Sequence, residues 1–128
     1  PQDYKEAAKW FRLSAEQGWA PAQTHLGVAY DFGDGVPQDR KEAVKWYRLA
    51  AEQGYAHGQA ALGNMYQSGF GVLQDNLRAH MWLNIAAANG VDEARELRDD
   101  LAKTMVPADV SKAQQMAREC LEKNYKGC

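Results

Sequence analysis

Apolar residues recur along the chain at three- and four-residue steps, the spacing that lines one face of an α-helix. Ala7, Trp10, Phe11 and Ala15 form such a face, and Ala43, Trp46, Tyr47 and Ala51 form it again further on. Lys5, Lys9, Arg12 and Glu16 occupy much of the other side, where Arg12 and Glu16 are placed as an i,i+4 ion pair on a solvated surface. The pattern predicts first helices over about 3–17 and 39–53. Each opens at an aspartate, Asp3 or Asp39, whose carboxylate can accept from free backbone N–H groups, and each stops at a glycine, Gly18 or Gly54. Second helices over about 20–32 and 56–68 end in the turns Gly33-Asp34-Gly35-Val36 and Gly69-Phe70-Gly71-Val72.

These segments are copies. Residues 1–36 align without a gap onto 37–72, with 22 of 36 pairs identical, so the period is 36 residues and spans two helices and two turns. A unit of that size cannot bury its apolar face alone and must stack on its neighbours, which produces an elongated array with a continuous surface suited to holding another protein. The second helices share Leu26-Gly27 with Tyr30 and Leu62-Gly63 with Tyr66. Glycine inside a helix costs about 1 kcal/mol relative to alanine, and close helix approach is the simplest reason for its return. A third unit keeps Gln74, Asp75, Ala79, Trp82, Ala86, Ala87 and Gly90 in register, then diverges over 91–105. Pro107 opens a last amphipathic helix carrying Val110, Ala113, Met116, Ala117, Cys120 and Leu121 on one side, which suits a terminal cap. The expected organisation is repeat 1 over 1–36 (entered partway through its unit), repeat 2 over 37–72, a divergent repeat 3 over 73–105 and a cap with tail over 106–128, with about seven helices and no strand.

Composition narrows the function. The 128 residues, 45% hydrophobic, suffice for one domain with a real core. A net charge of −2, with both signs mixed along every helix, gives no basic stripe for a phosphate backbone, so nucleic acid is not expected as a partner. No apolar run reaches the roughly 18 residues of a membrane span. The chain starts at Pro1 and enters its repeat midway, so a fragment or processed product is expected, with a leader or further repeats removed.

The string KEAVKWYRLAAEQGYAHGQAALGNMYQSGFGVLQD closely resembles the consensus of Sel-one-like repeats, a branch of the tetratricopeptide superfamily, and the resemblance covers residues 1–90. The ending RDDLAKTMVPADVSKAQQMAREC resembles the capping segment of many bacterial members. The resemblance implies an all-α fold: a right-handed α-α superhelix of about three helix-pair repeats plus a C-terminal capping helix. It implies a non-catalytic adaptor, often exported, that binds a protein or peptide and needs no cofactor. Superposed on tetratricopeptide geometry, the Leu-Gly-Tyr helices line the concave side. The inward positions are then Pro21, Thr24, Val28, Asp31 and Phe32 in repeat 1, and His57, Ala60, Asn64, Gln67 and Ser68 in repeat 2. Of the 14 mismatches between the repeats, nine fall between 19 and 32, on the helix expected to face a ligand. Tolerant surface drift is the competing explanation. Phe32 is the strongest single anchor, because aromatic residues often dominate binding energy.

Other chemistry is sparse. Cys120 and Cys128 are separated by seven residues that run off a helix through Asn124 and Gly127, and a reversal there brings the sulfurs together; the alternative is two unrelated thiols. The spacing resembles that of the cysteine-rich, exported branch of the family, which implies a disulfide and a periplasmic or secreted location. Two cysteines with no nearby histidine do not make a zinc site. His25, His57 and His80 occupy different repeat registers and read as surface or packing residues. Asp31, Asp34 and Asp39 read as turn chemistry rather than a calcium loop, since no distal glutamate completes one. Trp10, Trp46 and Trp82, at 36-residue intervals, are expected in the core between repeats, and Trp19 is expected at a partly exposed turn. The cysteine-rich branch also raises a penicillin-binding or β-lactamase-like alternative. That chemistry needs a serine with lysine three residues later, whereas Ser14, Ser68 and Ser111 are followed there by Gln17, Gly71 and Gln114. A self-assembling structural module is the third reading, through the open N-terminal end where no preceding repeat covers the first helix.

Overall fold

The computed structural model describes residues 3–128; Pro1 and Gln2, the first two residues of repeat 1, lie outside them. Seven helices follow one another among the described residues: α1 (Tyr4–Glu16), α2 (Ala20–Phe32), α3 (Arg40–Glu52), α4 (Ala56–Ser68), α5 (Asn76–Ala88), α6 (Asp92–Ala102) and α7 (Pro107–Glu122). Among the described residues there is no strand. Each helix of α1 to α5 packs on the next, α2 also touches α4, and α7 returns to α5 rather than stacking on α6. The result is a solenoid of helix pairs closed by α7.

Local chemistry starts α1, α3 and α5 in one way. Asp3, Asp39 and Asp75 accept from the backbone N–H of Glu6, Glu42 and Arg78, so three first turns are capped alike at 36-residue intervals. Between units, the Asp39 N–H donates to the Tyr30 carbonyl and the Asp75 N–H to the Tyr66 carbonyl, both at 2.9 Å. Gly35 and Gly71 explain why the linking turns are glycine-rich. Both have positive φ, and a Cβ on either would strike backbone, Tyr4–Lys5 in the first case and Arg40–Lys41 in the second.

Gly27 and Gly63 give the close approach expected of them. A Cβ on Gly27 would lie 2.5 Å from the Tyr47 ring, and one on Gly63 would lie 3.0 Å from Leu83. The core thickens toward α5, where Met81, Trp82, Leu83 and Ile85 are all buried beneath α4, α6 and α7. Two expectations need correcting. Trp46 and Trp82 are buried, but Trp10 is 63% exposed, because Trp46 packs on Ala15, Ala22 and Leu26 of the unit before it and no described helix precedes α1. Arg12 does not pair with Glu16; it donates to the Tyr30 hydroxyl and lies over that ring, as Arg48 does with Tyr66.

Candidate functional site

The second helices carry the expected contact positions, and their inner faces are fixed by a repeated polar framework. Gln23 and Gln59 are buried, and each donates from its amide to a carbonyl eight residues back, Ala15 and Ala51 respectively. Their side-chain oxygens accept from Gln53 and Asn89 in the following unit, at 2.8 and 2.9 Å. Buried amides left unpaired are costly, so this arrangement sets the spacing of adjacent units as well as filling it. Sequence reasoning missed it, although Gln23 and Gln59 are identical at a place where the two helices otherwise differ.

The outer faces of α2 and α4 differ from each other, and the structure sorts their residues. Phe32 is 65% exposed and Val28 is exposed one turn before it. On α4, His57, Asn64 and Ser68 are exposed, Gln67 and Ala60 are half-buried, and on α2 Pro21 is half-buried. Thr24 does not belong to this surface. It is buried, its hydroxyl donates to the Ala20 carbonyl, and its Oγ1 is one of the atoms nearest the space above Gly58, so it packs between α2 and α4. Ala22 and Ala29 also vary between repeats while buried, opposite Gly58 and Met65 in repeat 2. Part of the divergence on these helices is therefore volume exchange in the core, not variation toward a ligand.

Asp31 is engaged inside the fold. Its carboxylate accepts from Arg40 at 3.4 Å and from the Tyr47 hydroxyl at 3.3 Å, and Arg40 in turn lies 3.9 Å from the centre of the Phe70 ring. Burial, with the adjacent Asp31 carboxylate adding to it, pushes the Tyr47 hydroxyl pKa far above its ordinary value. This polar cluster is lacking at the junction between repeats 2 and 3, which has Gln67, Asn76 and Leu83 in place of Asp31, Arg40 and Tyr47. It links α2 to α3 and presents Phe70 beside the linking turn.

The remaining hollows are shallow. One of about 230 Å³ opens between α1 and α2, lined by Tyr4, Ala7, Phe11, His25 and Val28, with His25 stacked on Phe11 at 4.8 Å. Another, of about 410 Å³, lies between α5 and α7 and is lined by Asn84, Ile85, Ala88, Gln114, Arg118 and Leu121. Trp19 is exposed at the turn before α2. His80 is buried in α5 with Nδ1 unpartnered; burial lowers its pKa, and Arg98 lowers it further against an opposing effect of Asp99. Among the described residues, no group of three or more His, Cys, Asp or Glu could hold a metal ion. Cys120 and Cys128 are joined, with Cα atoms 5.7 Å apart.

A family model for the Sel1 repeat matches residues 1–19, 20–55 and 56–91. The chain belongs to the Sel1 repeat family. The second and third matched Sel1 units begin at the second helix of a pair, so the boundaries fall between α1 and α2 and between α3 and α4. Two solved structures are similar along the array. One is a protective antigen present in uropathogenic Escherichia coli strains and displaying an SLR fold: 31% identity, 97% of this chain, 28% of that one, TM-score 0.90. The other is a Sel1 repeat protein from Oxalobacter formigenes: 38% identity, 76% of this chain, 28% of that one, TM-score 0.74. The Sel1 array described here thus spans 28% of the length of each. No curated protein matches. The all-helical superhelix of stacked pairs is the fold these relatives share, and among the described residues no helix is long and apolar enough to cross a membrane.

Proposed function

We propose that this chain is a non-catalytic scaffold that holds a peptide segment or a protein edge in the concave groove, along the exposed faces of α2 and α4. One contrast carries the reading. Residues that join the helices, Leu26 and Leu62, Gln23 and Gln59, Tyr30 and Tyr66, are identical in both units, whereas the exposed pairs Val28 and Asn64, Phe32 and Ser68 differ in chemistry. A repeated frame carrying non-repeated exposed side chains suits recognition of one partner rather than simple stacking. Phe32 supplies apolar area, while His57, Asn64, Gln67 and Ser68 supply donors and acceptors for a partner backbone. Asp31 acts behind them by holding Arg40 and Tyr47. The chemistry needs no cofactor. Sel1 relatives are typically scaffolds, which favours this reading over a penicillin-binding one, for which no serine has lysine three residues on. A periplasmic or secreted location accords with the joined Cys120 and Cys128 and with the antigen among the relatives.

The test is affinity capture from a bacterial envelope extract, comparing wild type with Phe32→Ala/Asn64→Ala and reading the captured proteins by mass spectrometry. Both side chains are exposed, so the variant keeps the fold. Capture by wild type alone supports the surface; equal capture by both moves the site elsewhere. Self-assembly is the second reading, favoured by the exposed Tyr4, Trp10 and Leu13 on α1. Light scattering over a concentration series separates it, since only self-assembly makes the mass rise with concentration.

A further inference from the structure

The seven residues between the cysteines do not trail into solvent. They fold back across the array onto the C-terminal end of α3, more than 70 residues earlier in the chain. Lys126 Nζ donates to the Glu52 carbonyl at 3.1 Å, and the Gly127 N–H donates to the Glu52 carboxylate at 3.5 Å. The Tyr125 ring lies against Gly54, within 3.1 Å of where a Cβ would be, and Asn89 donates to its hydroxyl at 3.4 Å. A helix C-terminus carries unsatisfied carbonyls and partial negative charge, and a lysine ammonium answers both.

Two further observations set this contact apart. Gly18 and Gly90 stand at the equivalent ends of α1 and α5, and nothing lies within 4 Å of the space above either, so of these three glycines only Gly54 is covered. The covering segment also holds a backbone that a free tail would not keep. Asn124 and Tyr125 both have positive φ, 56° and 67°, and left-handed tyrosine is disfavoured unless its surroundings impose it. The bridge from Cys120, buried at the end of α7, to Cys128 is what closes the segment into a loop.

We propose that the loop closed by Cys120 and Cys128 is a redox-dependent strap that fastens the cap of the array onto repeat 2. A dithiol reductant opens it in two displacements. A thiolate attacks the sulfur of Cys128, the more exposed of the pair, forming a mixed disulfide and expelling the Cys120 sulfur, which takes up a proton. The second thiol of the reductant then displaces the Cys128 sulfur, also protonated, and leaves as a cyclic disulfide, so two electrons pass to the protein. With the loop open, Tyr125 and Asn124 relax to ordinary backbone and the contacts to Glu52 and Gly54 are lost.

Backbone hydrogen exchange on the full chain tests this, with the end of α1 as internal reference. In the oxidised protein the Gly54 and Tyr55 amides are expected to exchange about tenfold or more slowly than their equivalents Gly18 and Trp19, whose helix-end hydrogen bonds are the same. Dithiothreitol is expected to abolish that difference. Tyr125→Ala/Lys126→Ala, kept oxidised, is expected to abolish it as well with the bridge intact, which assigns the protection to the contact of the tail with the end of α3. Equal exchange at the two helix ends in the oxidised wild type would overturn the proposal. So would a difference that survives reduction, or one that survives the double substitution.

Discussion

The side-chain amide of Asn89 donates to the buried side-chain oxygen of Gln59 at 2.9 Å, and the same bond joins Gln53 to Gln23 one repeat earlier at 2.8 Å. Both bonds span 30 residues, so they lock the start of one second helix to the end of the next first helix. Gln59 is fully buried and also satisfies the Ala51 carbonyl. Gln59→Ala removes one donor to that carbonyl and the nearer of the two acceptors of the Asn89 amide, and opens a gap. A loss of about 2–4 kcal/mol is expected, read as a lowered urea midpoint. Gln53→Ala, at an exposed position, is expected to cost less than about 1.5 kcal/mol.

Gly27 faces the Tyr47 ring too closely for a Cβ. Gly27→Ala gains helix propensity of roughly 1 kcal/mol but forces the ring aside, and the net expectation is destabilisation by about 1–3 kcal/mol. Because the two residues touch, the costs should not add. In a Tyr47→Leu background, which copies the Gly63–Leu83 arrangement, the same glycine substitution is expected to cost less. A double-mutant cycle by chemical denaturation checks this; additive values would show that the ring is not the obstacle.

His80 sets an acid limit on stability. Its pKa in the folded chain is lowered, chiefly by burial and then by Arg98, so the unfolded chain binds the proton more readily. Stability is therefore fully present above the ordinary value near 6.5 and falls as pH drops below it. Denaturation midpoints between pH 7 and pH 5 are expected to decline in wild type. His80→Met keeps the volume, and its decline over that window should be shallower.

The four tryptophans divide into two classes. Trp10 and Trp19 are 63% and 61% exposed, while Trp46 and Trp82 are 6% and 0%. Acrylamide is expected to quench the first pair and spare the second. Trp10→Phe/Trp19→Phe should leave a blue-shifted, poorly quenched emission; strong residual quenching would mean that the junctions between repeats open in solution.

The repeat was legible because identical residues at a fixed period leave few foldable alternatives. Asp39 reads as a cap from its own neighbours, and the joint between Leu26-Gly27 and the next unit reads from glycine standing where a helix disfavours it. The outer surface was only partly legible. Thr24 and Phe32 both vary between repeats, yet one is buried and the other exposed, and variation alone does not distinguish a ligand-facing position from a core position such as Thr24, which packs over Gly58. Trp10 shows the same limit from the other side. It matches Trp46 in type and register, but burial depends on what stands next to it.

The sequence by itself determined the helix pairs, their caps, their order and the solenoid class, since these follow from local propensity and from a periodic apolar face that must find an identical neighbour. Tertiary structure alone decided which polar groups meet: the amides of Gln59 and Asn89, the carboxylate of Asp31 with Tyr47, and the tail from Tyr125 to Gly127 on the end of α3. Those pairings join residues from 16 to 75 positions apart. Whether such groups touch depends on the distance and angle between packed helices, quantities that no residue carries alone.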